Sequence, residues 1–530
     1  MGGLRWIAAV IAGLALVAAG CGSDGGRSHP AADGDVVDTR TPSPWGPGGD
    51  LDRVLRTQAA AREAARRRAA LDALADVHTV PAALRRARLS RAIGRVEYAR
   101  YRAAYAGARK AARRLGGARG AEERAVLASV ERLAADDRLE PSRFPAVFLN
   151  LRRNTRTWML APFPRTSERR SFGSDPAVFQ YVPGRGMQLH PLASWGQLNA
   201  RLRGCLRKRA GCGERDLRAR LDALARLAAR RSGFVAWEYY YDYAQGPPPW
   251  MSGMAQATAV QALSRAAKAF RAPRYARIAR RALGAFETPP PTGVAVPDDG
   301  GRRFVMYSFA PSLRILNGEL QAVNGLRDAA VLGRSLRALR LVQAGDRAAR
   351  AALGGFDTGA WSLYSDAGAE STLSYHQLTT GILGDLCRRT ARAEYCRAQR
   401  RFARYEHEPP RIGIAPVRGL WARRSAPLRF TLSKGSAVQV RVFGPKGVVM
   451  ARDLQLGRGG HDLSWVPPSR GRFRVQVHAR GPEGRVGRSQ LDVRVVLPKP
   501  KPKVKPKKPK PKQPPERRGD VGAEGGGLGG

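Results

Sequence analysis

The chain has 530 residues, of which 43% are hydrophobic, so it has room for roughly two to four domains and can bury a sizeable core. That content excludes a wholly disordered chain. The formal net charge is +50, from 93 Lys and Arg against 43 Asp and Glu, which suits an anionic partner: nucleic acid, an acidic glycan or a phosphate-rich envelope surface. Most of the excess is Arg interleaved with Ala, as in RTQAAAREAARRRAALDALA (Arg56 to Ala75), a pattern that solvated helix faces explain equally well. Charge alone therefore selects none of the three partners.

The N-terminus reads MGGLRWIAAVIAGLALVAAGC, with one Arg, an apolar run from Trp6 to Ala19 and small residues before Cys21. Residues 1–20 have the form of a secretory signal peptide, too short and too poorly flanked for a stable transmembrane span. Ala18, Ala19 and Gly20 before Cys21 resemble a bacterial lipobox, although Leu is more usual where Ala18 stands. Lipidation at Cys21 is expected, followed by a flexible, polar, Gly/Pro-rich tether over 21–50. The expected location is the outer face of a bacterial cell membrane.

Residues 51–140 are rich in Ala, Arg, Leu and Glu at three- and four-residue apolar spacing and predict amphipathic helices without a catalytic grouping. Over 141–408 aromatics appear, and helical stretches such as LDALARLAARR and GELQAVNGLRDAAVLGRSLRALRLVQ alternate with Gly/Pro-rich connections. Paired helices joined by long loops predict a mainly α fold, an incomplete α/α barrel or toroid with its loops at one mouth. After Pro410 the period changes to two. Residues 411–496 contain short strands separated by turns such as GPKG, GRGG and GPEG, predicting an immunoglobulin-like β-sandwich module. It shows no nucleophile and base, so a spacer or binding role is expected. The end, 497–530, is a disordered Lys/Pro-rich and Gly-rich tail, suited to an anionic wall polymer or membrane surface rather than nucleic acid.

Setting Cys21 aside, the cysteines fall into two local pairs, Cys205 with Cys212 and Cys387 with Cys396. An even count suits disulfides in an oxidising compartment. Neither pair has the two-residue spacing of a zinc knuckle and there are only 7 His, so disulfides are favoured and no metal is expected.

Four central stretches carry more aromatic and polar side chains than packing requires: FQYVPGRGMQLHPLASWGQLN from Phe179, YYYDYAQGPPPWMSGMAQATAVQAL from Tyr239, YSFAPSLRILNGELQAVNGLRDAA from Tyr307, and GGFDTGAWSLYS with the later YHQLTTGIL from Tyr375. PPWMSGMAQATAVQALSRA, LRILNGELQAVNGLRDA, FDTGAWSLYS and the pair Tyr375-His376 resemble, in order, the blocks of the glucuronyl C5-epimerase C-terminal family, over about Phe179 to Tyr405. The resemblance implies an isomerase that inverts carbon 5 of D-glucuronyl residues within a polysaccharide, with no cofactor.

That chemistry removes a proton α to a carboxylate and returns one to the opposite face, so two titratable groups must flank the ring and donors must hold the developing charge. The resemblance implies Tyr364 as one acid/base and Tyr375 as a second or as a substrate contact. Glu319 is the best carboxylate for the other face. His376, Asn317 and Arg314 are expected to hold the substrate carboxylate, with Trp250 and Tyr181 as flat faces for sugar rings. An Arg nearby is expected to lower a tyrosine pKa, and Asp357 to brace its turn. The family pattern has a second His four residues after the Tyr of the Tyr-His pair, where this chain has Thr379.

By position alone, Tyr375 fits a core helix face and Glu319 a solvated helix start equally well. Two other functions are open: a polysaccharide lyase, which begins with the same proton abstraction, and a non-catalytic glycan-binding envelope protein.

Overall fold

A computed structural model describes residues 49–173, 175–207, 212–298 and 300–497, with side chains from residue 59 onward. The expected signal peptide, Cys21 with its tether, and the tail lie outside the described residues. Among the described residues there are thirteen α-helices, followed by a C-terminal β-rich region, and no helix is long and apolar enough to cross a membrane.

The Arg/Ala-rich helices bury an apolar stripe. Tyr101, on the helix Arg95–Arg114, stacks on Phe148 at 4.8 Å and meets Phe144 edge-on, both on the helix Phe144–Leu160. One continuous hydrophobic cluster runs from Val80 to Leu341, so residues on both sides of position 140 share a core. Asn150 and Asn154 on the helix Phe144–Leu160 then complete the edge of the strand Gly186–Leu189: their side-chain oxygens accept from the backbone N–H of Leu189 and Met187 at 2.8 and 2.7 Å. Gly186 has φ +78, and a Cβ there would lie 2.5 Å from Asn154 Oδ1, so this turn requires glycine.

Two predicted helices are cut short. LDALARLAARR ends as a helix at Ala225, and Ala229–Arg231 is a strand paired with Phe234–Ala236. Arg231 and Arg143 both donate to Glu238, which is fully buried and draws these residues together. The long stretch from Gly318 divides into the helices Leu316–Val331 and Leu336–Ala352, because Arg334 takes φ +48 after Gly333 and Ser335 caps the second helix through Ala338 N–H.

Two helices carry candidate-site residues, Leu316–Val331 and Leu373–Thr390, and a third, Gly253–Ala269, packs against the first of them. Asp328 ties them, accepting from Arg265 at 2.7 Å and from Arg389, with all three groups largely out of solvent. Both local cysteine pairs are disulfides, with Cα separations of 5.3 Å for Cys205–Cys212 and 4.8 Å for Cys387–Cys396. The second joins the helix Leu373–Thr390 to Ala393–Tyr405.

In the β-rich region the strand Ala426–Leu432 alternates inward and outward residues, as period two requires. It lies between Gly459–Trp465 and Ile412–Ile414 in a three-stranded sheet. A five-stranded sheet runs Gly447–Leu456, Ser436–Gly444, Gly471–Arg480, Val486–Val496 and Leu420–Trp421, the last pairing in parallel. Leu428 and Phe430 from the first sheet share a core with Val440, Phe473 and Val477 from the second.

The helices Gly253–Ala269 and Leu316–Val331 approach closely because Gly325 has no side chain: a Cβ there would stand 2.4 Å from the Ala257 carbonyl oxygen. Gly325→Ala is expected to destabilise the chain by about 1–3 kcal/mol, read as a lower midpoint in thermal or denaturant unfolding.

Candidate functional site

The loop Gly354 to Ser365 is built on its own backbone and on three neighbours. Asp357 Oδ1 accepts from Gly359 N–H and Tyr405 Oη, both at 2.9 Å, and Oδ2 accepts from Arg401 at 2.6 Å. It braces the turn. Trp361 is fully buried, donates to the Ser371 carbonyl at 2.8 Å, and stacks on His376 with centroids 3.8 Å apart and planes 8° off parallel.

The β-rich region supplies the next contact. Lys434, wholly out of solvent, places its Nζ 4.8 Å from the Trp361 ring centroid. It donates to the Tyr405 and Glu408 carbonyls at 2.9 and 2.8 Å and to Glu483 at 3.2 Å. Burial draws its pKa below the usual value, and Glu483 opposes that pull. Glu370, from the segment after the loop, accepts from Gly435 N–H at 2.7 Å. The module is therefore joined to the reverse side of this loop.

The loop presents Tyr364 to a cluster of phenols. Its Oη lies 3.4 Å from Tyr307 Oη, and its ring centroid lies 4.8 Å from that of Tyr375. Tyr243 packs on Tyr307 at 5.5 Å. Burial pushes Tyr364 up to about 12 and Tyr375 well above the ordinary tyrosine value. The expected lowering by an Arg is thus outweighed. Arg169 does exert a downward pull on Tyr375, but desolvation is the larger effect. Both phenols are protonated at neutral pH.

Arg314 and Ile315 run alongside the loop: Ile315 bridges Ser365, and Arg314 N–H donates to Asp366 at 3.0 Å. The Arg314 guanidinium faces two carboxylates, Glu319 at 3.0 Å to both oxygens and Asp298 at 2.7 Å. Burial raises Glu319 to about 7 against the pull of Arg314. Burial also opposes the charge on Arg314, yet the two carboxylates hold its pKa up. The Asp298 carboxylate beside the same guanidinium adds to the rise at Glu319.

Two buried polar atoms in this neighbourhood, Asn317 Oδ1 and Ser365 Oγ, find no hydrogen-bond partner among the described residues, and Tyr375 Oη has only the Tyr364 hydroxyl to interact with.

The structure brings together Tyr364 and Tyr375, with Arg314, Asn317 and Glu319 on the adjoining segment. Other candidates are placed differently. Trp250 stacks on Tyr239 at 4.0 Å, with Tyr243 at 5.7 Å and a 30° tilt, so its faces are packed rather than open to a sugar. Tyr181 belongs to the first core, where its hydroxyl donates to Glu122 at 2.7 Å and its ring meets Trp158 and Phe163 edge-on. His376 uses both ring nitrogens internally, on Ser362 Oγ at 2.7 Å and the Phe402 carbonyl at 2.9 Å. Burial lowers its pKa, and it supports Trp361 instead of meeting substrate. Thr379, where the family pattern has His, bonds its own helix through the Tyr375 carbonyl.

Sequence reasoning did not single out Tyr307, Arg169 or Lys434. Tyr307 lay inside a flagged stretch, whereas Arg169 and Lys434 carried no local signal.

Lys434→Met strands the Glu483 charge and two carbonyls, so a loss of about 3–5 kcal/mol is expected; adding Glu483→Leu should return part of it, both read by tryptophan-detected unfolding. His190 gives a pH test. It is buried, accepts from Ala193 N–H at 3.1 Å, and is lowered to about 3 by burial and then by Arg169. An unfolded His titrates near 6.5, so below that pH the unfolded chain takes a proton the folded chain refuses. Stability should fall by about 1.4 kcal/mol per pH unit between roughly 6.5 and 3 from this group. His190→Asn, which keeps a cap acceptor, should show a shallower acid slope in denaturant midpoints.

Residues 231–404 match the family described as D-glucuronyl C5-epimerase C-terminus, a narrower span than the resemblance from Phe179 suggests. No curated protein matches the chain. The Tyr364 loop, the Tyr375 helix and Glu319 all lie inside the matched span, so the stretch that holds the candidate site is the one similar to the D-glucuronyl C5-epimerase C-terminal family.

Proposed function

We propose that the protein epimerises carbon 5 of uronyl residues in an extracellular acidic polysaccharide. The observation that carries this reading is the juxtaposition of Tyr364 and Tyr375 beside the segment of Arg314 and Glu319, within the epimerase-type domain. Glu319, raised to about 7, is the group able to accept a proton near neutral pH. Tyr364, held at about 12, is a donor there. In this assignment Glu319 takes the carbon 5 proton from one face, Tyr364 returns one to the other, and Arg314 and Asn317 receive the substrate carboxylate. Tyr375 and Tyr307 keep the donor oriented and the site dry.

The wider proposal takes the helical part as an incomplete α/α toroid and residues 411–496 as an immunoglobulin-like sandwich. Export and lipidation at Cys21 would anchor the enzyme at the outer membrane face, with the Lys/Pro tail on anionic wall polymer. These rest on the sequence features of the two termini.

The test is carbon 5 exchange: the purified chain with glucuronate polymers in deuterated water should install deuterium at carbon 5 without cleavage. Tyr364→Phe should lower the rate by roughly 10² or more. With Glu319 as base, the rate should rise as pH passes about 7, and Glu319→Gln should remove that limb along with most activity. Unsaturated chain ends would assign a lyase instead, and glycan binding with no exchange would assign a non-catalytic binding protein.

A further inference from the structure

The hairpin formed by Ala295–Asp298 and Gly301–Phe304 has two sides with different chemistry. Successive strand residues point to opposite faces. Arg303 acts electrostatically on Glu319, while Arg302 lines a separate cavity of about 370 Å³ between the hairpin and the helix Leu336–Ala352. From that helix Arg337, Arg340 and Arg347 line the same cavity over a floor of Leu341 and Ala344, at spacings that share one helix face. Glu287 is the only carboxylate among its described lining residues, and it holds Arg337. Arg347 donates to the Gly300 carbonyl. Arg302 and Arg340 make no hydrogen bond or ion pair among the described residues.

We propose that this cavity binds a polymer bearing regularly repeated oxyanions, either carboxylates or phosphodiesters. Among the described lining residues, four guanidinium groups face one carboxylate, a local excess of positive charge that an anionic ligand offsets. The planar fork of Arg suits paired contacts to carboxylate or phosphate oxygens. The extent of the site selects a polymer over a single ion. Arg337 to Arg347 covers about 15 Å of helix, and the cavity volume lies in the ordinary range of about 300–1,000 Å³ for ligand sites. None of the described lining residues belongs to the tyrosine cluster, and binding here does not depend on the enzymatic reading.

The experiment is arginine footprinting of the full chain with phenylglyoxal, read by mass spectrometry, which separates this cavity from the cationic tail. The probes are a glucuronate-containing oligosaccharide, a glycerol-phosphate oligomer and inorganic phosphate. At least one oligomer should slow modification of Arg302 and Arg340 about fivefold or more while changing Arg429 and Arg474 by less than about twofold. The oligomer that protects identifies the anion. In Arg302→Gln, the concentration for half-protection of Arg340 should rise roughly tenfold, with the melting temperature unchanged. The proposal is overturned if neither oligomer protects Arg340, if Arg429 and Arg474 are protected equally, if inorganic phosphate protects at the same concentration as the oligomers, or if Arg302→Gln leaves half-protection where it was.

Discussion

A buried ammonium group holds the site loop to the rest of the molecule. Removing Lys434 from water is costly, and the cost is met by Glu483 and by two carbonyls at the end of the helix Ala393–Tyr405. The same group lies over Trp361, whose indole rests on His376, whose nitrogens reach back to Ser362 and Phe402. Every member of this chain is fixed by the next. Tyr364, three residues beyond Trp361, inherits its position from them, and the β-rich region supports the loop, a contact that the expected spacer or binding role did not include.

Desolvation sets the electrostatic character of the site. In a chain of net charge +50, nearby arginines would be expected to pull tyrosine pKa values down. The opposite holds for Tyr364 and Tyr375, because phenols packed against phenols lose water without gaining enough compensating charge. Glu319 is displaced upward for the same reason, even with Arg314 in contact. Two groups of different type are thereby separated in acidity, one able to accept near neutral pH and one able to donate.

Periodicity made much of this legible. The alternation of Ala426–Leu432 and the apolar spacing of the Arg-rich helices appear directly in the sequence, and both cysteine pairs follow from proximity. The break at Gly333–Arg334 was missed because the apolar pattern runs through it while one residue adopts a left-handed conformation. Aromatic roles were harder. Trp250 and Tyr181 have the composition of a sugar platform and His376 that of a carboxylate holder, yet a ring packed on another ring and a ring open to a ligand are the same letters. Tyr364 with Tyr375 was legible through the family resemblance, whereas Lys434, in an unremarkable turn sequence between two strands, was not.

The family match covers 231–404, but the physical unit is larger than the matched span. A cut at 231 passes through the strand that pairs with Phe234–Ala236 and removes Arg143 from Glu238. A cut at 404 removes Tyr405, whose hydroxyl holds Asp357, and Lys434 behind Trp361. Recombinant fragments and domain transplants cut at the homology boundary would therefore carry the tyrosine cluster without the framework that shapes it. The contacts that hold the loop and Glu238 in place run from the helix Phe144–Leu160 region to the β-rich region.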